Sequence, residues 1–257
     1  MLRALIFDVD GTLADTESAH LAAFNHAFAA FGLDWQWDQA LYTRLLETSG
    51  GKDRILHYWR SARPEPREIG AMAVQDSVDR LHELKTAAYA AAVNAGAVSL
   101  RPGVLRLMEQ ALAQGLRLAI ATTTSPVNVA ALLRRAVGPH WRLNFAAIGD
   151  ASNAPLKKPH PQVYLNMLAA LQLEPEQCLA FEDSANGLRA ATAAGLATII
   201  TPTGYTAQHD FRAALRVLPD LAQVDLAQLR SWHRGGRQLA TGAGRAQATP
   251  GERTQAT

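Results

Sequence analysis

The chain has 257 residues, 48% of them apolar and 19% charged, enough to bury one large core and too apolar for a wholly disordered protein. A single cysteine, Cys178, excludes an internal disulfide framework and points to a reducing compartment. The formal net charge is +2, and Arg234, Arg237, Arg245 and Arg253 against Glu252 more than account for it, so the body of the chain is near neutral and no nucleic-acid partner is expected.

No run approaches the roughly 18 apolar residues needed to cross a bilayer. The N-terminus enters Leu5-Ile6-Phe7 directly, without a basic stretch and cleavage site. A cytoplasmic monomer with no membrane partner is the expectation. Leu5-Ile6-Phe7 is a short apolar run of the kind found in buried parallel strands, and it leads straight into Asp8-Val9-Asp10-Gly11-Thr12. Asp8 then sits at the carboxyl end of a strand, where open α/β sheets bind ligands. Two carboxylates this close repel, and a bound cation relieves the repulsion.

The next 80 residues read as helices. Leu21, Phe24, Phe28 and Phe31 share one helical face, ended by Gly32. A second helix is predicted over 38–46, a third over 52–60, and a long one over 67–94, with no strand between 15 and 95. Trp35 and Trp37 read as packing. From Arg101-Pro102-Gly103 onward, helix and strand alternate: helices at 104–114, 162–171 and 185–194, strands at 116–121, 145–148, 178–181 and 197–200. Such alternation means a parallel sheet covered by helices on both faces. The fold class is therefore α/β, a Rossmann-like parallel sheet core with an inserted α-helical cap domain. The divisions are 1–14 for the first part of the core, 15–96 for the cap, 97–225 for the second part, and 226–257 for a tail without regular structure from about 234.

The strand ends carry the polar residues. After Asp8 and Asp10 come Thr122, Thr123 and Thr124, then Lys157-Lys158-Pro159, then Glu182-Asp183. Carboxylates, a hydroxyl and a lysine suit phosphoryl transfer, because a carboxylate nucleophile approaches an anionic phosphoryl group only when its charge is neutralised. In the helical segment, Ser49-Gly50-Gly51 precedes a helix start at Lys52. Free backbone N–H groups beside Lys52 and Arg54 make either an anion site or a solvated charged face. Thr123, Thr124 and Ser125 also suit a helix cap.

The order and spacing of these motifs resemble the haloacid dehalogenase superfamily of phosphotransferases with a helical cap after the first motif. The resemblance covers roughly residues 1–225. Within it, Asp34-Trp35-Gln36-Trp37-Asp38, Ser49-Gly50-Gly51-Lys52-Asp53-Arg54-Ile55 and Glu182-Asp183-Ser184-Ala185-Asn186-Gly187-Leu188 are similar to the CbbY proteins of carbon-fixing bacteria. The resemblance implies a Mg²⁺-dependent phosphatase acting on a small phosphosugar, xylulose-1,5-bisphosphate, a by-product that inhibits Rubisco, yielding xylulose 5-phosphate. It implies Asp8 as nucleophile through an aspartyl-phosphate, and Asp10 as proton shuttle. It implies Asp8, the Asp10 carbonyl and Asp183 around Mg²⁺ with Glu182 in support, and Thr122 and Lys158 on the transferring phosphoryl oxygens. Glu17, His20, Gly51, Lys52, Arg54 and Thr123 would contact substrate. A β-phosphoglucomutase-type isomerase and a generalist sugar-phosphate phosphatase are the competing readings. Gly50-Gly51-Lys52-Asp53-Arg54 departs from the single arginine after Gly-x-Ser usual in the mutases.

Overall fold

The computed structural model describes residues 1–62, 68–69 and 72–245. In chain order its elements are β1 (Ala4–Phe7), α1 (Glu17–Phe31), α2 (Gln39–Leu45), α3 (Gly51–Ala62), β2 (Glu68–Ile69), β3 (Met72–Ala73) and α4 (Val74–Asn94). There follow α5 (Val104–Ala113), β4 (Arg117–Ala121), α6 (Pro126–Ala136), β5 (Ala147–Gly149), α7 (Gln162–Leu171) and β6 (Cys178–Glu182). The last are α8 (Ala185–Ala193), β7 (Ala197–Ile200), β8 (Arg216–Val217) and α9 (Leu226–Arg245).

Six strands form one sheet in the order β5-β4-β1-β6-β7-β8, and every pairing in it is parallel. The alternation of side chains along each strand divides the core into two layers of different thickness. Leu5 and Phe7 of β1, Leu118 and Ile120 of β4, and Leu179 and Phe181 of β6 face one side, packing with α5, α6 and part of α4. Ala4, Ile6, Ala119, Ala121 and Ala180 face the other, where Ala190, Ala191 and Ala194 let α8 approach closely beside α7. Phe7 stacks on Phe181 with centroids 4.6 Å apart, locking β1 against β6.

A third apolar cluster lies within α1–α4, built from Phe24, Phe28, Trp37, Tyr42, Leu45, Ile55, Trp59, Val78 and Leu81. Trp37 is buried among Phe24, Phe28 and Tyr42, a packing role as expected. Helix α1 stops at Gly32, whose φ of 84° is open to glycine at little cost, and Asp38 caps α2 by accepting from Leu41 N at 2.7 Å.

The local reading departs from the structure in four places. The long helix starts at Val74 instead of 67, and the expectation of no strand between 15 and 95 fails, because Glu68–Ile69 and Met72–Ala73 pair as antiparallel two-residue strands. Gly70, a poor helix former, stands between them in sequence. Residues 63–67 and 70–71 lie outside the described residues. The strand expected at 145–148 is shifted to Ala147–Gly149, because Trp141–Asn144 forms a 3-10 turn that buries Phe145 edge-on against Trp141. Two-residue β8 carries too short a pattern to read. The expected irregular chain from about residue 234 fails over 234–245, where α9 continues. Leu226, Leu229 and His233 recur at helical spacing and are buried, and a helix anchored by packed turns propagates at little cost. Residues 246–257 lie outside the described residues.

Leu107 on α5 is fully buried on the thicker side of the sheet, away from the strand ends. Leu107→Ala should lower unfolding free energy by about 2–5 kcal/mol, seen as a lower urea midpoint. Activity per folded molecule should be unchanged.

Candidate active site

The carboxyl ends of β1, β4 and β6 meet at one pocket, roofed by α1, α4 and the 46–54 turn. Main-chain ladders set the positions: Asp8 N donates to Phe181 O at 3.0 Å and Thr122 N to Gly149 O at 2.9 Å. Ser184 caps α8 from Gly187 N at 3.1 Å, which holds Asp183 at the mouth of the strand. Gly11 and Gly187 are required here. A Cβ on Gly11 would overlap the Asp183 carboxylate, and one on Gly187 would overlap that of Glu182.

At the centre is Lys158, 5% exposed, next to a cis peptide bond to Pro159. Its ammonium donates to Asp8 Oδ1 at 2.7 Å, Glu182 Oε1 at 2.5 Å and Ala121 O at 2.8 Å, using all three hydrogens. Tyr164 donates a further hydrogen bond to Glu182 Oε1 at 2.5 Å. Burial works to lower the pKa of Lys158, but the two carboxylates outweigh it and hold the ammonium charged. Burial, with Glu182 and Asp10 nearby, pushes Asp8 up to about 7 against the pull of Lys158. Burial and the charges of Asp8 and Glu182 raise Asp183 well above the carboxylate range.

These shifts describe too much negative charge for one ammonium. Asp8, Glu182 and Asp183 each offer an oxygen within 4.8 Å of the others, and Glu182 Oε2 is buried without a partner. Three hard oxygen donors with an uncompensated charge fit a divalent cation. The Asp10 side chain is not in this group. It accepts from Thr16 Oγ1 at 2.8 Å and from His20 Nε2 at 3.0 Å. Burial would raise its pKa, but His20 and Thr16 hold it down to about 2, so Asp10 rests ionised.

Lys85 of α4 completes this side. Its ammonium lies 2.8 Å from His20 Nδ1, and since an ammonium only donates, Nδ1 accepts and Nε2–H faces Asp10. Burial and Lys85 together lower the pKa of His20, keeping the ring neutral. Burial likewise lowers Lys85, to about 8, against the attraction of Asp10. The sequence reading missed Lys85, although Leu81, Lys85 and Tyr89 share the buried face of α4 at four-residue spacing. It also missed Thr16 and Tyr164, which carry no motif signal, and gave no role to Asn186, which stands within the Glu182–Leu188 run.

Of the expected site residues, Asp8, Asp10, Glu17, His20, Gly51, Arg54, Thr122, Thr123, Lys158, Glu182 and Asp183 line this pocket. Lys52 does not. It is half-exposed and paired with Asp79 at 2.7 Å, on a different face of α3 from Arg54. Arg54 uses three donors on Leu45 O, Thr48 O and the Tyr42 hydroxyl, at 3.1–3.2 Å, and its guanidinium lies over the Tyr42 ring. Tyr42 in turn donates to Glu17 at 2.7 Å. Thr123 and Thr124 line the pocket too, while Ser125 is the helix cap of α6, accepting from Asn128 N.

A cation entering the acidic group competes with protons on Asp8 and Asp183. The folded-state pKa of Asp8 lies above its unfolded value, so at acid pH the proton already relieves the repulsion, and above about 7 only a cation does. The rise in melting temperature on adding Mg²⁺ should therefore be larger at pH 8 than at pH 5.5, which thermal scans with Mg²⁺ and with EDTA would measure.

Residues 2–195 match the haloacid dehalogenase-like hydrolase family. The plasmid-borne CbbY protein of Cupriavidus necator is 53% identical over 250 residues, covering 91% of this chain and 98% of that one. The crystal structure of CbbY from Rhodobacter sphaeroides in complex with phosphate superposes with a TM-score of 0.81 at 42% identity, covering 88% of this chain and 98% of the other. A variant of that protein in complex with xylulose-1,5-bisphosphate matches equally well. A β-phosphoglucomutase from Clostridium difficile has a TM-score of 0.74 at 20% identity, over 93% of this chain and all of that one, a likeness of fold alone. No described helix is long and apolar enough to cross a membrane. The chain belongs to the haloacid dehalogenase-like hydrolases and, within them, to the CbbY proteins.

Proposed function

We propose that this hydrolase is a Mg²⁺-dependent phosphatase that converts xylulose-1,5-bisphosphate to xylulose 5-phosphate. The observation that carries the reading is the two-ended pocket. Asp8 and Lys158 stand at the sheet, while Gly51 and Arg54 stand at the roof, so a substrate with phosphates at both ends meets a cationic group at each. The bisphosphate complex of the Rhodobacter sphaeroides protein supports the same choice.

Asp8 and Asp183, with Glu182 in support and the Asp10 carbonyl, would hold Mg²⁺, which when bound neutralises the phosphoryl charge. The Asp8 carboxylate attacks phosphorus as the bond to the sugar oxygen breaks, and Asp10, protonated from solvent as the anionic substrate enters, delivers that proton to the oxygen. Water then attacks phosphorus of the aspartyl-phosphate while Asp10 takes its proton, returning Asp8. Thr16 and His20 aim the Asp10 carboxylate for this work, and the ionised resting form is the one that accepts a proton. Lys158 and Thr122 bind phosphoryl oxygens; to do so Lys158 exchanges one of its three present acceptors.

Residues 15–96 act as the cap in this reading, and its closure screens the reacting groups from bulk solvent while leaving room for the one water that Asp10 activates. Cys178 is buried, and burial pushes its thiol up to about 12, an inert group suited to a reducing cytoplasm. The enzyme works there as a monomer.

Phosphate release should be fastest from xylulose-1,5-bisphosphate in a panel with ribulose-1,5-bisphosphate, fructose-1,6-bisphosphate, phosphoglycolate and glucose phosphates, and EDTA should suppress it. Equal rates across the panel would make the enzyme a generalist, and glucose 6-phosphate from β-glucose 1-phosphate would make it a mutase. Asp8→Asn should lower turnover by at least about a thousandfold with the circular dichroism spectrum unchanged.

A further inference from the structure

The turn that carries Gly51 and Arg54 is gripped from two sides by the sheet half of the molecule. On one side Lys157 pairs its ammonium with Asp53, in the first turn of α3. The Lys157 stem lies flush on Gly50, where φ is 93° and a Cβ would come within 2.7 Å of Cδ and 2.8 Å of Cε. On the other side Asn186, in the first turn of α8, donates to Glu47 O at 2.9 Å and lies 3.3 Å from Ser49 Oγ. Both grips start beside the chemistry, since Lys157 precedes Lys158 and Asn186 follows Asp183 by three residues.

We infer that Lys157 is a positioning residue, acting through Asp53 as a latch that holds the 47–54 turn over Asp8 and so presents Arg54 and Gly51 to substrate. The inference rests on the hydrolase reading of the pocket. The strength of the contact suits the task. The Lys157 and Asp53 side chains are 27% and 52% exposed, and ion pairs of that exposure are weak. A weak pair shifts the balance between open and closed turns without trapping product, whereas a buried pair would resist opening. The neighbouring lysine is the contrast: Lys158 is fully engaged within the sheet half, while Lys157, one residue earlier, reaches across to the helical half.

A double-mutant cycle tests the latch. Lys157→Ala and Asp53→Ala should each raise KM for the bisphosphate about two- to fivefold with kcat nearly unchanged. The double variant should be no worse than either single one. Lys157→Arg should retain the wild-type KM, and the swapped pair Asp53→Lys with Lys157→Asp should recover most of it. Additive losses, or a swap no better than the double alanine variant, would overturn the proposal. Hydrogen exchange of the 47–54 amides reads docking of the turn without any turnover, and Lys157→Ala should speed it. Unchanged exchange refutes the latch even if the bisphosphate is hydrolysed. Faster exchange supports it even if that substrate proves wrong.

Discussion

Everything at the strand ends depends on one buried ammonium. Lys158 has no water to solvate it, so it is tolerated only because Asp8, Glu182 and Ala121 O saturate its three hydrogens. In the same way, the carboxylates are tolerated only because the ammonium is there, and it does not suffice for all three. The residual charge on Asp8, Glu182 and Asp183 is a deficit that the fold leaves open to a cation and that a phosphoryl group can then share. Tyr164 and the two glycines serve this balance, one by a hydrogen bond and the others by making room.

Asp8 and Asp10 are two residues apart, yet the fold gives them opposite electrostatics. Burial, helped by the neighbouring carboxylates, pushes Asp8 up to about 7; burial acts on Asp10 too, but the His20 ring and a threonine hydroxyl hold it down to about 2. The difference comes from the helical half. Helix α1 supplies His20, Thr16 lies just before it, and α4 supplies the Lys85 that sets the His20 tautomer. In the proposed reaction, the nucleophile and the proton carrier are thus distinguished by which half of the molecule each carboxylate leans on.

Much of the architecture was legible in the chain because its signals are local. The run Leu5-Ile6-Phe7, the β6 run from Cys178 and the helix periodicity of Phe24, Phe28 and Phe31 depend on near neighbours, and each element formed where read. The start of α4, the shift of β5 and the extension of α9 depend on packing partners distant in sequence, so periodicity alone misplaced them. Lys52 illustrates the limit at the site. Beside Arg54 it looked like a second anion contact, but two residues on a helix face differ by about 200° in direction, and only Arg54 points into the pocket.

The sequence by itself placed the strand-end side chains, because the residues that end parallel strands converge: Asp8, Thr122 and Asp183, with Lys158 brought to them by the loop after β5. The tertiary structure alone decided what surrounds them. Lys85 lies 65 residues from His20, and Lys157 lies 104 from Asp53, so no local pattern joins them. Their pairing follows from how α4 and the 47–54 turn pack over the sheet, a matter of shape that spacing along the chain does not encode.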